Sequence, residues 1–403
     1  MTDRDIPFQP VAGVRLAAAA AGIRYQGRDD VALVELPIGA RCAAIFTRNS
    51  FCAAPVTVAR RHLALASPRY FLINSGNANA GTGAGGVADA EKSCSALAEL
   101  AGCRAEEVLP FSTGVIGEPL PLDRLSASLP AALRGLRESA WPAAARAIMT
   151  TDTLPKLAAR RFAVGERTGV VAGMAKGSGM IRPDMATMLA FLATDLAVDR
   201  HLLERCLRDA ADVSFNAITV DGDTSTNDAC VLAAAGTLGN DFLQDPAAPA
   251  YLAFREAVEE VCRGLAEAIV RDGEGATKLV TILVEEARDA AEARRVADAI
   301  AHSPLVKTAL FASDPNWGRI LAAVGRSGVE GLVIGAVRIW LGQERIVSDG
   351  GRDPSYREAA GRDAMAGPEV TIRVALGRGR AKTRLLTCDL SYDYVRINAE
   401  YRT

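Results

Sequence analysis

Short apolar runs at 31–36, 43–46 and 56–58 alternate with Gly, Asn and Arg turn residues, and this pattern predicts strands at the start of the chain. The run 71–73 leads into the polar stretch 74–83. Beyond it residues 87–101 take a helical repeat, with Asp89, Glu91 and Lys92 on one side. The same repeat predicts helices at 122–136, 141–149, 199–213, 248–269 and 287–301, and apolar runs predict strands at 188–192 and 278–284. Helices and strands alternate, so an α/β class is expected.

The 403 residues exceed one ordinary hydrophobic core, and two domains are expected, 1–284 and 285–403, divided at the charged stretch 285–295. Lys+Arg and Asp+Glu number 46 and 48, so no strong field favours nucleic acid or an anionic membrane. The amino terminus lacks the basic-then-apolar order of a signal peptide. The alanine-rich run 16–23 is far shorter than the roughly 18 apolar residues of a spanning helix, and a cytosolic protein is expected. Eight scattered cysteines without a C-x-x-C pair read as reduced core residues. Three histidines without paired spacing make a zinc site improbable and supply little acid–base chemistry.

Three segments are candidates for chemistry. The loop 74–83 could cradle a phosphate through its amides, but it lacks G-x-G-x-x-G and the Walker lysine and reads equally as a structural turn. The carboxylate-rich stretch 221–228 might look like a divalent-metal loop, but it lacks the EF-hand glutamate spacing. In 175–189, Gly177 and Gly179 free the backbone and Pro183 restricts it, so a sharply shaped loop leads into the strand at 188. Thr187 stands at that junction. It either opens a buried strand or attacks the carbonyl of Ala186 in an N→O acyl shift that cuts the chain. In the second case the new α-amine, with an ordinary pKa of about 8, accepts the Thr187 hydroxyl proton and no histidine is needed.

Residues 176–189, with 111–117, 149–153, 221–228, 272–278, 313–319 and the tail 393–403, resemble the ornithine acetyltransferase family of arginine biosynthesis, the ArgJ type, in order over nearly the whole chain. The resemblance implies an α/β fold: a layered sheet-and-helix catalytic domain similar to the N-terminal-nucleophile hydrolases and a smaller α+β carboxyl-terminal domain. It also implies an acyltransferase moving acetyl from N2-acetylornithine to glutamate, with acetyl-coenzyme A as a further candidate donor. A self-processing aminopeptidase or amidohydrolase would give acetyl to water instead.

Carried over by position, the resemblance makes Thr187 the nucleophile, Ala186–Thr187 the cleavage site, and Thr113 and Gly114 the oxyanion hole. Substrate contacts fall to Thr150, Lys176, Thr187, Glu274, Asn398 and Thr403, with Lys176 suited to an α-carboxylate and Glu274 and the Thr403 carboxylate to cationic groups. Asp184 replaces the family's more usual asparagine. No metal or cofactor is implied. The partners implied are the chain's own fragments, 1–186 and 187–403, as a heterotetramer of two of each.

Overall fold

The fold is described from a computed structural model covering residues 8–182 and 188–400, and it divides into two units. The first comprises the chain up to Asn216 with Asp223–Ile269, and the second Ala217–Gly222 with the chain from Val270 onward. The stretch 285–295 lies inside the second unit.

In the first unit the elements run β1 (Arg15–Ala19), β2 (Val31–Glu35), β3 (Arg41–Phe46), α1 (Ala54–Leu65), β4 (Tyr70–Asn77), α2 (Gly83–Ala101), β5 (Val108–Val115) and α3 (Leu122–Arg134). They continue with α4 (Trp141–Ala147), β6 (Lys156–Val164), β7 (Arg167–Lys176), β8 (Leu189–Thr194), α5 (Arg200–Asp212), β9 (Ala229–Ala234) and α6 (Pro249–Arg271), whose last two residues fall in the second unit. Two sheets form, a four-stranded one ordered β1-β2-β4-β5 and a five-stranded one ordered β3-β9-β8-β7-β6.

Alternation along the strands explains how they stack. Leu16, Val34, Phe71, Ile73, Leu109 and Phe111 of the first sheet share one core with Met174, Phe191 and Val231 of the second. Phe111 meets Phe191 edge to face, with ring centroids 4.9 Å apart. The opposite residues, among them Ala17, Leu33, Leu72 and Val108, pack on Cys94 and Leu97 of α2 and Leu125 and Leu129 of α3. Over the second sheet, Val261 and Leu265 of α6 lie against Gly173 of β7. The layers of this unit are therefore helix, sheet, sheet, helix.

The second unit carries β10 (Leu279–Ala287), α7 (Ala290–Ala301), α8 (Pro304–Phe311), α9 (Trp317–Gly325), β11 (Arg338–Leu341), β12 (Glu344–Ser348), β13 (Gly351–Arg352), α10 (Glu358–Ala366), β14 (Glu369–Ala375), β15 (Ala381–Cys388) and α11 (Tyr392–Glu400). Its six-stranded sheet is ordered β13-β12-β11-β14-β10-β15, and Val280, Ile282 and Val284 of β10 share a core with Val296 and Ile300 of α7. The short stretch 217–222 joins this unit through the Thr219 N–H, which donates to the carbonyl of Leu386 at 2.9 Å.

One expectation fails. Residues 56–58 form no strand but lie in α1, where Pro55, Val56, Ala59 and His62 are buried at helical spacing and Pro55 sits in the first turn. The β-branched Val-Thr-Val run suggested a strand, and burial of that helical face overrides it. The cysteines are all unpaired, and burial pushes the thiols of Cys42, Cys94, Cys206 and Cys230 up. No described helix is long and apolar enough to cross a membrane.

Candidate active site

The first unit's two sheets bring the ends of β5 and β7 together. Lys176, the last residue of β7 and 9% exposed, donates from Nζ to Thr113 Oγ1 of β5 at 3.0 Å. An ammonium has no lone pair to accept with, so this bond occupies a Thr113 acceptor position and leaves the hydroxyl proton available for another acceptor.

Gly114 follows with φ at 135°, a region side chains rarely adopt. A Cβ there would stand 2.3 Å from the Gly76 carbonyl carbon and 2.5 Å from the Asn77 nitrogen, because β5 runs parallel and close to β4 with Gly76 opposite Gly114. Only glycine fits.

The 74–83 segment holds this arrangement from behind. Asn74 Oδ1 accepts from the Ser112 hydroxyl at 2.6 Å, Asn77 Nδ2 donates to the carbonyls of Glu118 and Pro119, and Asn79 Nδ2 donates to the carbonyl of Gly86. Asn227 reaches across from the loop before β9, its Nδ2 donating to the carbonyls of Ser112 at 2.9 Å and Ala78 at 2.6 Å. The asparagines of the loop thus serve the fold, which favours the structural turn over the phosphate cradle.

Two buried carboxyls lie within the field of Lys176. Asp152 Oδ1 accepts from Lys156 Nζ and from the Gly177 N–H, each at 2.7 Å, and Oδ2 accepts from the Thr150 N–H at 3.1 Å. Burial works to raise its pKa, but the charges of Lys176 and Lys156 and these hydrogen bonds hold it below the ordinary carboxylate value. Thr150 is thereby tied to the Lys176–Gly177 turn.

Asp228 is the opposite case. It is 2% exposed, and burial pushes its pKa well above the ordinary value, against hydrogen bonds from Ser225 and the Met188 N–H and the charge of Lys176. Its Oδ2 has no hydrogen-bond partner among the described residues. Two carboxyls around one cation are driven apart, the pKa of one lowered and that of the other raised, a pattern typical of acid–base sites.

Leu189, at the start of β8, pairs with Lys176 on one side and with Ala229 on the other, and the Ala229 N–H donates to the Met188 carbonyl at 3.0 Å. The expected nucleophile Thr187, its neighbour Ala186 and the terminal Thr403 lie outside the described residues, as does Asp184. In the second unit Glu274, itself buried, accepts from Asn398 Nδ2 of α11 at 2.7 Å. The structure therefore groups Thr113, Gly114, Thr150 and Lys176 in one unit, and Glu274 with Asn398 in the other.

Sequence reasoning assigned no role to Asp152, Lys156, Asn227 or Asp228. Three of these stand inside the stretches 149–153 and 221–228 that it singled out, but acidity along a chain does not tell which carboxyl is buried.

The profile of the ArgJ family matches residues 15–403. The arginine biosynthesis bifunctional protein ArgJ of Methylococcus capsulatus is 61% identical over 399 residues, covering 99% of this chain and 97% of that protein. The crystal structure of arginine biosynthesis bifunctional protein argJ from Bacillus halodurans is 39% identical, over 51% of this chain and 95% of that one, with a TM-score of 0.48. The structure of ornithine acetyltransferase complexed with ornithine from Mycobacterium tuberculosis is 35% identical, over 44% and 94% of the two chains, with a TM-score of 0.36. With nearly its whole length matched by the family profile and by a relative of such high identity, the chain belongs to the ArgJ family, as its motifs led us to expect.

Proposed function

We propose that this chain transfers acetyl from N2-acetylornithine to the α-amine of glutamate through an acetyl ester on Thr187, after cutting itself between Ala186 and Thr187. As a member of the ArgJ family it is an enzyme, an acyltransferase. The observation that carries the finer reading is the buried contact between Lys176 Nζ and Thr113 Oγ1 beside a residue, Gly114, that must be glycine.

Thr187 Oγ attacks the acetyl carbonyl carbon while its own α-amine takes the hydroxyl proton. Negative charge gathers on the carbonyl oxygen. The Thr113 hydroxyl, with an acceptor position taken up by Lys176, has its proton to offer that oxygen, and the Gly114 N–H is the second donor, each worth about 3 kcal/mol or more in acyl transfers of this kind. Collapse of the tetrahedral intermediate breaks the bond to the α-nitrogen of ornithine, which leaves with the proton held by the Thr187 amine. The α-amine of glutamate then attacks the ester and the same groups act in reverse. The substrate contacts are Thr150, Lys176, Thr187, Glu274, Asn398 and Thr403.

The fragments 1–186 and 187–403 stay together through apolar burial and associate as a heterotetramer in the cytosol. Acetyl-coenzyme A is a second donor to the same threonine.

The test has two parts. Intact-mass analysis of the purified protein should find fragments 1–186 and 187–403 in the wild type and one whole chain in Thr187→Ala. Acetyl transfer is then followed from N2-acetylornithine and from acetyl-coenzyme A, each with and without glutamate. Release of acetate at the same rate without glutamate would make the enzyme an amidohydrolase and overturn the transferase reading.

A further inference from the structure

Self-cleavage poses a proton problem that acyl transfer does not. In the mature enzyme the free α-amine of Thr187 serves as base, but before the cut that nitrogen is an amide and cannot. When the Thr187 hydroxyl attacks the Ala186 carbonyl, the Oγ proton must leave and the amide nitrogen must gain a proton before the C–N bond breaks. Of the histidines, His62 is buried against the Val108 carbonyl, His201 is exposed on α5 and the His302 ring is engaged with Thr219 Oγ1 at 3.2 Å.

Resting on the cleavage site proposed above, we infer that Asp228 is the proton relay of self-cleavage. It gives its carboxyl proton to the nitrogen of the Ala186–Thr187 bond as that bond breaks, and regains one from the Thr187 hydroxyl. The ester then joins Ala186 to Thr187 Oγ, Thr187 has a free amine, and water hydrolyses the ester to leave the Ala186 carboxylate and the restored hydroxyl.

Position is the first ground. Asp228 directly precedes β9, whose parallel neighbour β8 begins two residues after Thr187, and its carboxyl is bonded by the N–H of Met188, the amide joined directly to Thr187. The unused oxygen is the second. Buried polar atoms are nearly always hydrogen-bonded, yet Asp228 Oδ2 has no partner among the described residues. Charge is the third. Burial pushes the pKa of Asp228 well above the ordinary carboxylate value, which favours the proton-carrying acid, while the nearby Lys176 cation stabilises the carboxylate that forms when the proton is given up. Acyl transfer, with its own base, leaves this group no task.

Asp228→Asn separates a relay from a structural role, because asparagine reproduces the shape and hydrogen bonds of a protonated carboxyl but has no transferable proton. Freshly translated full-length chains are followed for appearance of the 187–403 fragment over a pH series, with thermal unfolding as the check of folding. The relay requires that folded Asp228→Asn cleave about a hundredfold more slowly than wild type. It also requires that the wild-type rate fall as pH rises through the raised pKa of Asp228. Cleavage of the variant at the wild-type rate overturns the relay alone. If the variant does not fold, a wild-type rate that stays constant from acid to alkaline pH overturns it equally. A wild type that never cuts before Thr187 removes the cleavage site itself, and the relay with it.

Discussion

Lys176 Nζ donates to Thr113 Oγ1 at 3.0 Å although 63 residues separate the two along the chain. The contact exists because the two sheets stack through Phe71, Phe111 and Phe191, which draws the end of β5 onto the end of β7. It makes Thr113 a hydrogen-bond donor with its acceptor side occupied. Thr113→Val should therefore lower kcat for acetyl transfer by about a hundredfold with little change in KM, since it removes a donor used only in the transition state. Thr113→Ser should retain most of the rate. Steady-state kinetics of both variants check this, and a fully active Thr113→Val would remove the hydroxyl from the oxyanion hole.

Gly114→Ala should be among the most damaging small substitutions in the chain. Its Cβ would lie 2.3 Å from the backbone of Gly76 at a φ of 135°, so β5 would have to move off β4. Backbone strain and overpacking together should cost about 3 kcal/mol or more. Urea unfolding measures the loss.

Asp152 and Asp228 should give opposite slopes of stability against pH. The folded pKa of Asp152 is below its unfolded value of 3.8, so its contribution is present above that value and is lost as pH falls through the folded pKa. The folded pKa of Asp228 is above 3.8, so its contribution is present below that value and is lost as pH rises through the folded pKa. Unfolding of the processed protein over a pH series should show the acid-side loss diminished in Asp152→Asn and the alkaline-side loss diminished in Asp228→Asn. Asp152→Ala should be the more harmful change at neutral pH. It removes the carboxylate paired with Lys156, whose side chain is 2% exposed, at a cost of about 3–5 kcal/mol.

Asn398 Nδ2 to Glu274 Oε2, at 2.7 Å, orients a carboxylate that the proposed function places among the substrate contacts and whose charge suits the cationic end of ornithine. Glu274→Gln should raise KM for N2-acetylornithine by about tenfold and leave folding unchanged, because it keeps the shape and removes the charge. Asn398→Ala should have a smaller effect in the same direction. Initial rates with each substrate varied in turn test both, and an equal rise in KM for the glutamate acceptor would assign the carboxylate to a shared part of the site.

Much of this protein was legible without a structure. Helical and strand repeats depend on neighbouring residues, and the positions of α2, α3, α5, α6 and β10 follow them closely, while the ordered motifs from 111–117 to 393–403 identified the family. Where local preference and tertiary burial disagreed, at 56–58, burial decided in favour of α1. Only the stacked sheets could reveal that Lys176 meets Thr113, or that Asn227 fastens the strand that carries it. The opposite pKa shifts of Asp152 and Asp228 are equally tertiary. In sequence they are two aspartates with the same intrinsic acidity, but one is buried against Lys156 and Lys176 and the other has one unpartnered oxygen, and desolvation weighed against nearby charge is settled only once the chain has folded.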